Sequence, residues 1–175
     1  MSAPVGKLTV LAGGKFACVK IAGRANFTLS IDFQSLVSEL HKNGYSYVVI
    51  DLTECLLMDS TFLGMLTGFG LKMGQTNEGS AARVVELLNP NSRITELLEN
   101  LGVVHLFKLR QGEICPPESA QESSPQSANP SQADLTRACL EAHQTLMGLN
   151  AENAAKFKDV ARFLADELQK HKNSK

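Results

Sequence analysis

Apolar positions along this chain follow two alternating spacings. Leu8 to Leu11 is a short apolar run, Gly13-Gly14 a turn, and Phe16 to Ile21 (FACVKI) a second run. Two strand-like runs joined through Gly-Gly predict a β-hairpin. Between Ser30 and Lys42 the apolar residues Ile31, Phe33, Leu36, Val37 and Leu40 keep helical spacing, and Gly44 follows as a C-terminal cap. Tyr45 to Leu52 (YSYVVIDL) is rich in aromatic and branched residues and predicts a central strand. Asp59 and Ser60 open a second helix that runs to about Gln75. Ala82 to Leu88 predicts another strand, with a helical alternative at Glu86-Leu87-Leu88. Asn89-Pro90-Asn91 breaks the chain. Ser92 to Leu101 then carries Ile94, Leu97, Leu98 and Leu101 on one stripe, closed by Gly102. His105 to Leu109 (HLFKL) predicts a last strand. The order is β-β-α-β-α-β-α-β, and helical crossovers between strands imply parallel neighbours in an α/β layer. Whether the helices cover one face of the sheet or both stays open at this level.

The pattern stops after Gln111. Residues 113–133 (EICPPESAQESSPQSANPSQA) are Ser, Pro, Gln and Glu with little apolar content, which predicts a flexible linker. Beyond it the periodicity returns. Leu135, Cys139, Ala142, Leu146 and Leu149 form one stripe. Ala154, Phe157, Val160, Ala161, Leu164 and Leu168 form another, running to about His171. Gly148-Leu149-Asn150 between them makes a helical hairpin. Two helices alone have a thin core, so the hairpin is expected to dock on the first domain or to pair with a second copy as a homodimer contact. The division is residues 1–112, 113–133 and 134–175.

Composition narrows the classes of function. The chain has 175 residues, 43% of them hydrophobic and 6% aromatic, without Trp, so its core is mainly aliphatic. It carries 17 basic and 18 acidic side chains. That balance argues against nucleic acid as the main partner, since phosphate binding needs a basic excess. Apolar runs such as Tyr47 to Ile50 are too short to span a bilayer. The opening MSAPVGKLTV has no basic region followed by an apolar stretch, so no signal peptide is expected. Cys18, Cys55, Cys115 and Cys139 are scattered without CxxC spacing, and His41, His105, His143 and His171 are equally dispersed. This predicts a reducing, cytoplasmic setting, no disulfide framework and no metal.

The most informative text is the strand–turn–helix YSYVVIDLTECLLMDSTFLGMLTGFGLKMGQ at 45–75. Asp51-Leu52-Thr53 is followed by a short apolar stretch and then by Met58-Asp59-Ser60-Thr61-Phe62-Leu63-Gly64 at a helix start. Arg83-Val84-Val85-Glu86-Leu87, the helix Ile94 to Gly102 and Phe107 in the last strand complete the pattern. Over about residues 5–110 the chain resembles the STAS domains of anti-sigma-factor antagonists. The resemblance implies a mixed sheet with crossover helices, to which the linker and C-terminal hairpin are additions. It also implies a serine phosphoacceptor at Ser60, with Thr61 as backup, and a docking surface of Asp59, Ser60, Thr61, Phe62 and Leu63 with the Arg24–Asn26 loop. The implied partners are a histidine-kinase-like ATPase acting as anti-sigma factor, which would phosphorylate the serine and release a sigma factor when bound, and a resetting phosphatase. Phe62 stands where that family usually has Gly. The Ala22–Asn26 loop is basic where relatives are often acidic.

The residues support such chemistry on their own terms. Ser60 lies in the first turn of a helix, where free N–H groups and the helix dipole favour an anion. A phosphate there adds about −1.5 to −2 charge beside Asp59, enough to disrupt a docked partner. The plain alternative is an N-terminal cap with no further role. Enzyme signatures are missing: Gly64-Met65-Leu66-Thr67-Gly68-Phe69-Gly70 lacks GxGxxG order and lies within a helix, where small residues permit close packing. No catalytic residue and no cofactor is expected. The competing expectations are a non-switching adaptor, resembling the STAS subunits of lipid-transport ATP-binding-cassette systems or a signalling scaffold, and a small-ligand sensor.

Overall fold

A computed structural model describes residues 4–75, 83–127 and 129–174. The first two strands, β1 (Lys7–Gly13) and β2 (Phe16–Ala25), form the expected antiparallel hairpin. Helix α1 (Phe27–Lys42) starts three residues earlier than its apolar spacing suggested, with Asn26 at the N-cap position. Strand β3 (Tyr47–Asp51) follows, then a short strand β4 (Cys55–Met58) that periodicity did not reveal. Helix α2 (Ser60–Gly74), strand β5 (Val84–Leu88) and helix α3 (Ser92–Asn100) come next. Residues 76–82, including the expected strand start at Ala82, lie outside the described residues. The predicted strand at His105–Leu109 is instead a single 3₁₀ turn, Val104–Leu106, followed by β6 (Lys108–Arg110).

The sheet runs β6-β5-β3-β2-β1, and its crossover neighbours β2–β3, β3–β5 and β5–β6 are parallel. A seventh strand, β7 (Gln121–Ser123), falls inside the segment expected to be a flexible linker and pairs antiparallel with β1. The reason is local: β1 is otherwise an edge with unpaired backbone groups, and a passing chain satisfies them without needing apolar side chains.

Alternation along the strands settles the question of faces. Val19, Ile21, Val48, Ile50, Val85 and Leu87 point to one side and share a core with Phe33, Phe62, Leu66, Ile94 and Leu98 from α1, α2 and α3. The opposite side holds a small cluster of Cys18, Val49 and Leu88, partly covered by Ile114 from the segment after β6. The helices therefore occupy one face.

Two further helices complete the chain: α4 (Gln132–Met147), opened by a capping box between Ser131 and Asp134, and α5 (Ala151–Asn173), capped by Asn150. They pack on each other, and α4 also lies along α2. Its Ala138, Ala142 and Leu146 join the domain core, with Leu149 and Phe157 against it. Asn153 of α5 donates to the Leu101 carbonyl at 2.9 Å, where α3 ends. Of the two arrangements open from the sequence, the hairpin takes docking in cis.

Candidate functional site

The site is built where β4 hands over to α2. The last residues of β2 pair with β4, Ala25 opposite Met58, across a register shift at Gly23/Arg24. Gly23 has φ +77°, and a Cβ there would lie 2.8 Å from the Val5 carbonyl oxygen, so only glycine makes this turn without strain. The pairing ends with the Asp59 N–H donating to the Ala25 carbonyl at 3.0 Å. The Arg24–Asn26 loop is thereby set beside the start of α2.

Asp59 is half-exposed and braces two helices at once. Its Oδ1 accepts from the Phe62 N–H at 2.8 Å, the N-cap bond of α2, and its Oδ2 accepts from the Phe27 N–H at 2.8 Å, in the first turn of α1. Each carboxylate oxygen thus serves a helix N-terminus that lacks internal acceptors.

Ser60 is half-exposed, and its hydroxyl is engaged. Ser60 Oγ lies 2.9 Å from Nε2 of His143, a buried residue of α4. His143 Nδ1 lies 2.6 Å from the Cys139 carbonyl oxygen. A carbonyl only accepts, so Nδ1 carries the proton, and in the neutral ring Nε2 accepts from the Ser60 hydroxyl. The imidazole stands edge-on to Phe157 of α5, with ring centroids 5.3 Å apart. Beside it, the Thr61 hydroxyl donates to Cys139 Sγ at 3.5 Å.

The expected docking residues are dispersed in depth. Phe62 and Leu63 are buried in the core, Phe62 with its ring 4.6 Å from that of Phe33, and Thr61 is buried under α4. Arg24 is exposed and Asn26 half-exposed. Phe27 and Leu56, both large and apolar, stand exposed near the same turn. His143 was not singled out from the sequence. It lies four residues after Cys139, on the same helical face, but nothing in periodicity tells which surface that face will meet.

Away from this turn, one buried charge stands out. Glu86 on β5 accepts hydrogen bonds from the Tyr47 hydroxyl and from Arg110 Nε. Burial pushes its pKa up, but those two donors and the guanidinium charge outweigh it and hold the carboxyl below its ordinary value. Burial, with Asp51 nearby, raises the Cys18 thiol to about 12, and burial raises Cys55 to about 11, so neither is a thiolate at neutral pH. Among the described residues no group of three or more His, Cys, Asp or Glu could hold a metal ion, and no helix is long and apolar enough to cross a membrane.

No family model matches the sequence, and no curated protein matches it. Solved structures do. The anti-sigma factor antagonist SpoIIAA in its unphosphorylated form superposes with a TM-score of 0.51 at 15% identity, over 61% of this chain and 88% of that one. An anti-sigma factor antagonist from Mycobacterium paratuberculosis gives a TM-score of 0.52 at 14% identity, over 62% and 89%. The chain is thus a mixed α/β protein with the STAS fold of the anti-sigma-factor antagonists, extended by two C-terminal helices.

Proposed function

We propose that this chain is a non-enzymatic regulatory protein of the anti-sigma-factor-antagonist type, acting in the bacterial cytoplasm. In this reading Ser60 is the phosphoacceptor and Thr61 the backup. The partner is an anti-sigma factor with a histidine-kinase-like ATPase domain, which brings the nucleotide and the metal. A phosphatase resets the switch. Asp59, Ser60, Arg24 and Asn26 form the polar part of the docking surface, with Phe27 as its exposed apolar member, while Phe62 and Leu63 set its shape from below. One observation carries the reading: a serine in the first turn of α2, behind an aspartate that braces two helix starts, within a STAS fold. A phosphate there meets the N-terminal end of α2, away from the sheet, so the charge acts on whatever is docked against that turn.

The test compares wild type with Ser60→Asp as baits for an ATPase of the anti-sigma type, alongside mapping of phosphate on the protein isolated from its host. Wild type should retain the ATPase, Ser60→Asp should lose it while its STAS domain stays folded, and phosphate should map to Ser60. Phosphate confined to another residue, or equal retention by both baits, would sink the proposal.

A second reading is favoured by the hydrogen bond between Ser60 and His143, which gives the hydroxyl a structural partner. Here the chain is a non-switching STAS adaptor of a lipid-transport ATP-binding-cassette system or a signalling scaffold. It predicts the same transporter or scaffold bound by both baits.

A further inference from the structure

The solved structures that share the fold match only about three fifths of this chain, and the α4–α5 hairpin is an extra module lying on α2. Its contact falls on the turn that carries the candidate phosphoacceptor. Three points within one turn of α2 define it: Ser60 against His143, Thr61 against Cys139, and Gly64 against the backbone of Ala142. A Cβ at Gly64 would lie 2.4 Å from the Ala142 carbonyl oxygen, so the two helices already touch through their backbones.

We infer that α4 is a self-docked cover on Ser60, and that negative charge placed on Ser60 releases the α4–α5 hairpin while the STAS domain stays folded. The inference rests on the reading of Ser60 as phosphoacceptor given above.

Donors, space and charge all act against the docked position of α4. Esterification of Ser60 removes the O–H that His143 Nε2 accepts, so the buried imidazole loses that donor. The phosphoryl group has to be placed against the buried His143 ring, one helical turn from the backbone contact of Gly64 with Ala142. The added charge sits beside the Asp59 carboxylate, and two neighbouring negative charges under a covering helix are costly to desolvate.

Against this, the hairpin's seam is modest. Its buried apolar residues are Ala138, Ala142, Leu146 and Ala161. Thr136, His143 and Asn153 are buried polar groups in the same module, and Asn153 Oδ1 has no hydrogen-bond partner among the described residues. Phe33, Phe62, Ile50 and Leu87 belong to the core that the sheet forms with α1 and α2, and α4 adds Ala138, Ala142 and Leu146 at its edge. The hairpin follows residues 124–131, which are only Ser, Pro, Gln, Ala and Asn, while β7 stays paired to β1. Phosphorylation would then be recorded as the position of a helical module whose apolar stripe is hidden only in the unmodified chain.

The test is amide hydrogen exchange on the full chain as wild type, Ser60→Ala and Ser60→Glu. Ser60→Glu should speed exchange across residues 132–173 at least about tenfold. Residues 47–51 and 84–88 should keep their protection, and Ser60→Ala, which loses the donor without adding charge, should speed exchange of 132–173 clearly less than Ser60→Glu does. Unchanged exchange of 132–173 in Ser60→Glu overturns the inference, because the charge is then accommodated under α4. Equal release in Ser60→Ala and Ser60→Glu overturns it too, since charge is then not the trigger. Loss of strand protection together with the helices also overturns it, because the cover is then part of the domain's own fold. None of these outcomes involves a partner, so the partner-switching reading stands or falls separately on the capture and phosphate-mapping experiment.

Discussion

Asp59 shows how much one side chain can add to a motif. From the sequence it reads as an N-cap, and Asn caps a helix as well as Asp does. The structure gives its second oxygen a different task, accepting from the Phe27 N–H at the start of α1. Asp59→Asn is therefore a discriminating substitution. Its Oδ1 can still cap α2, but its amide group would present a donor to the Phe27 donor. Urea unfolding should show a loss of about 1–2 kcal/mol, the range for removing a hydrogen bond and leaving a donor unpaired. A variant as stable as wild type would mean that capping of α2 is all Asp59 does. The brace was not legible in the sequence, because β4, which carries Asp59 to Ala25, is too short for a periodic signal. Asp59, Ser60 and the Arg24–Asn26 loop were legible as candidates through the local text. Their adjacency became visible only through that strand pairing.

At the scale of elements, α2 meets different neighbours through its glycines. A Cβ at Gly64 would meet the Ala142 backbone, and one at Gly70 would meet the Phe107 ring at 2.9 Å. The sequence suggested close packing for this Gly-rich stretch, and the structure divides it between α4 on one side and the segment before β6 on another. Gly64→Ala makes a sharp test. In a free helix the change would favour folding by roughly 1 kcal/mol. Here the obstacle is backbone, which cannot turn aside as a side chain can, and overpacking of this kind costs about 1–3 kcal/mol. The expected result is a lower melting temperature, with faster amide exchange in α4 and unchanged exchange in β3 and β5. A gain in stability would show that α4 does not hold this position in solution. The helices themselves were readable from their stripes and caps: Asp59, Asn91, Ser131 and Asn150 all accept from the backbone at helix starts. What the hairpin docks on was not readable, because an Ala-rich stripe fits any surface that comes close enough.

For the whole molecule the informative asymmetry is between the faces of the sheet. One face holds the core and every helix that packs on the sheet. The other carries Glu86 between Tyr47 and Arg110, with the segment after β6 running past it; Arg110 also donates to the Glu113 carbonyl at 2.9 Å. A glutamate inside an apolar strand was ambiguous in the sequence, since Glu86-Leu87-Leu88 also fits a helix. Only pairing with β3 and β6 supplies the donors that make the buried carboxylate tolerable. This arrangement carries a pH signature. Glu86 has a folded-state pKa below its ordinary value of about 4.5, so its contribution to stability is present above that value and is lost as the pH falls through the folded-state pKa. The wild-type chain should lose stability as the pH falls below about 4.5, partly through this one group. Glu86→Gln cannot take up that proton. Its unfolding midpoint in urea should start lower than that of wild type at pH 7 and fall less on acidification, so that the two curves converge. Curves that stay parallel would show that Glu86 binds its proton equally well in the folded and unfolded chain, and that the pairing with Tyr47 and Arg110 does not hold the linker side of the sheet together.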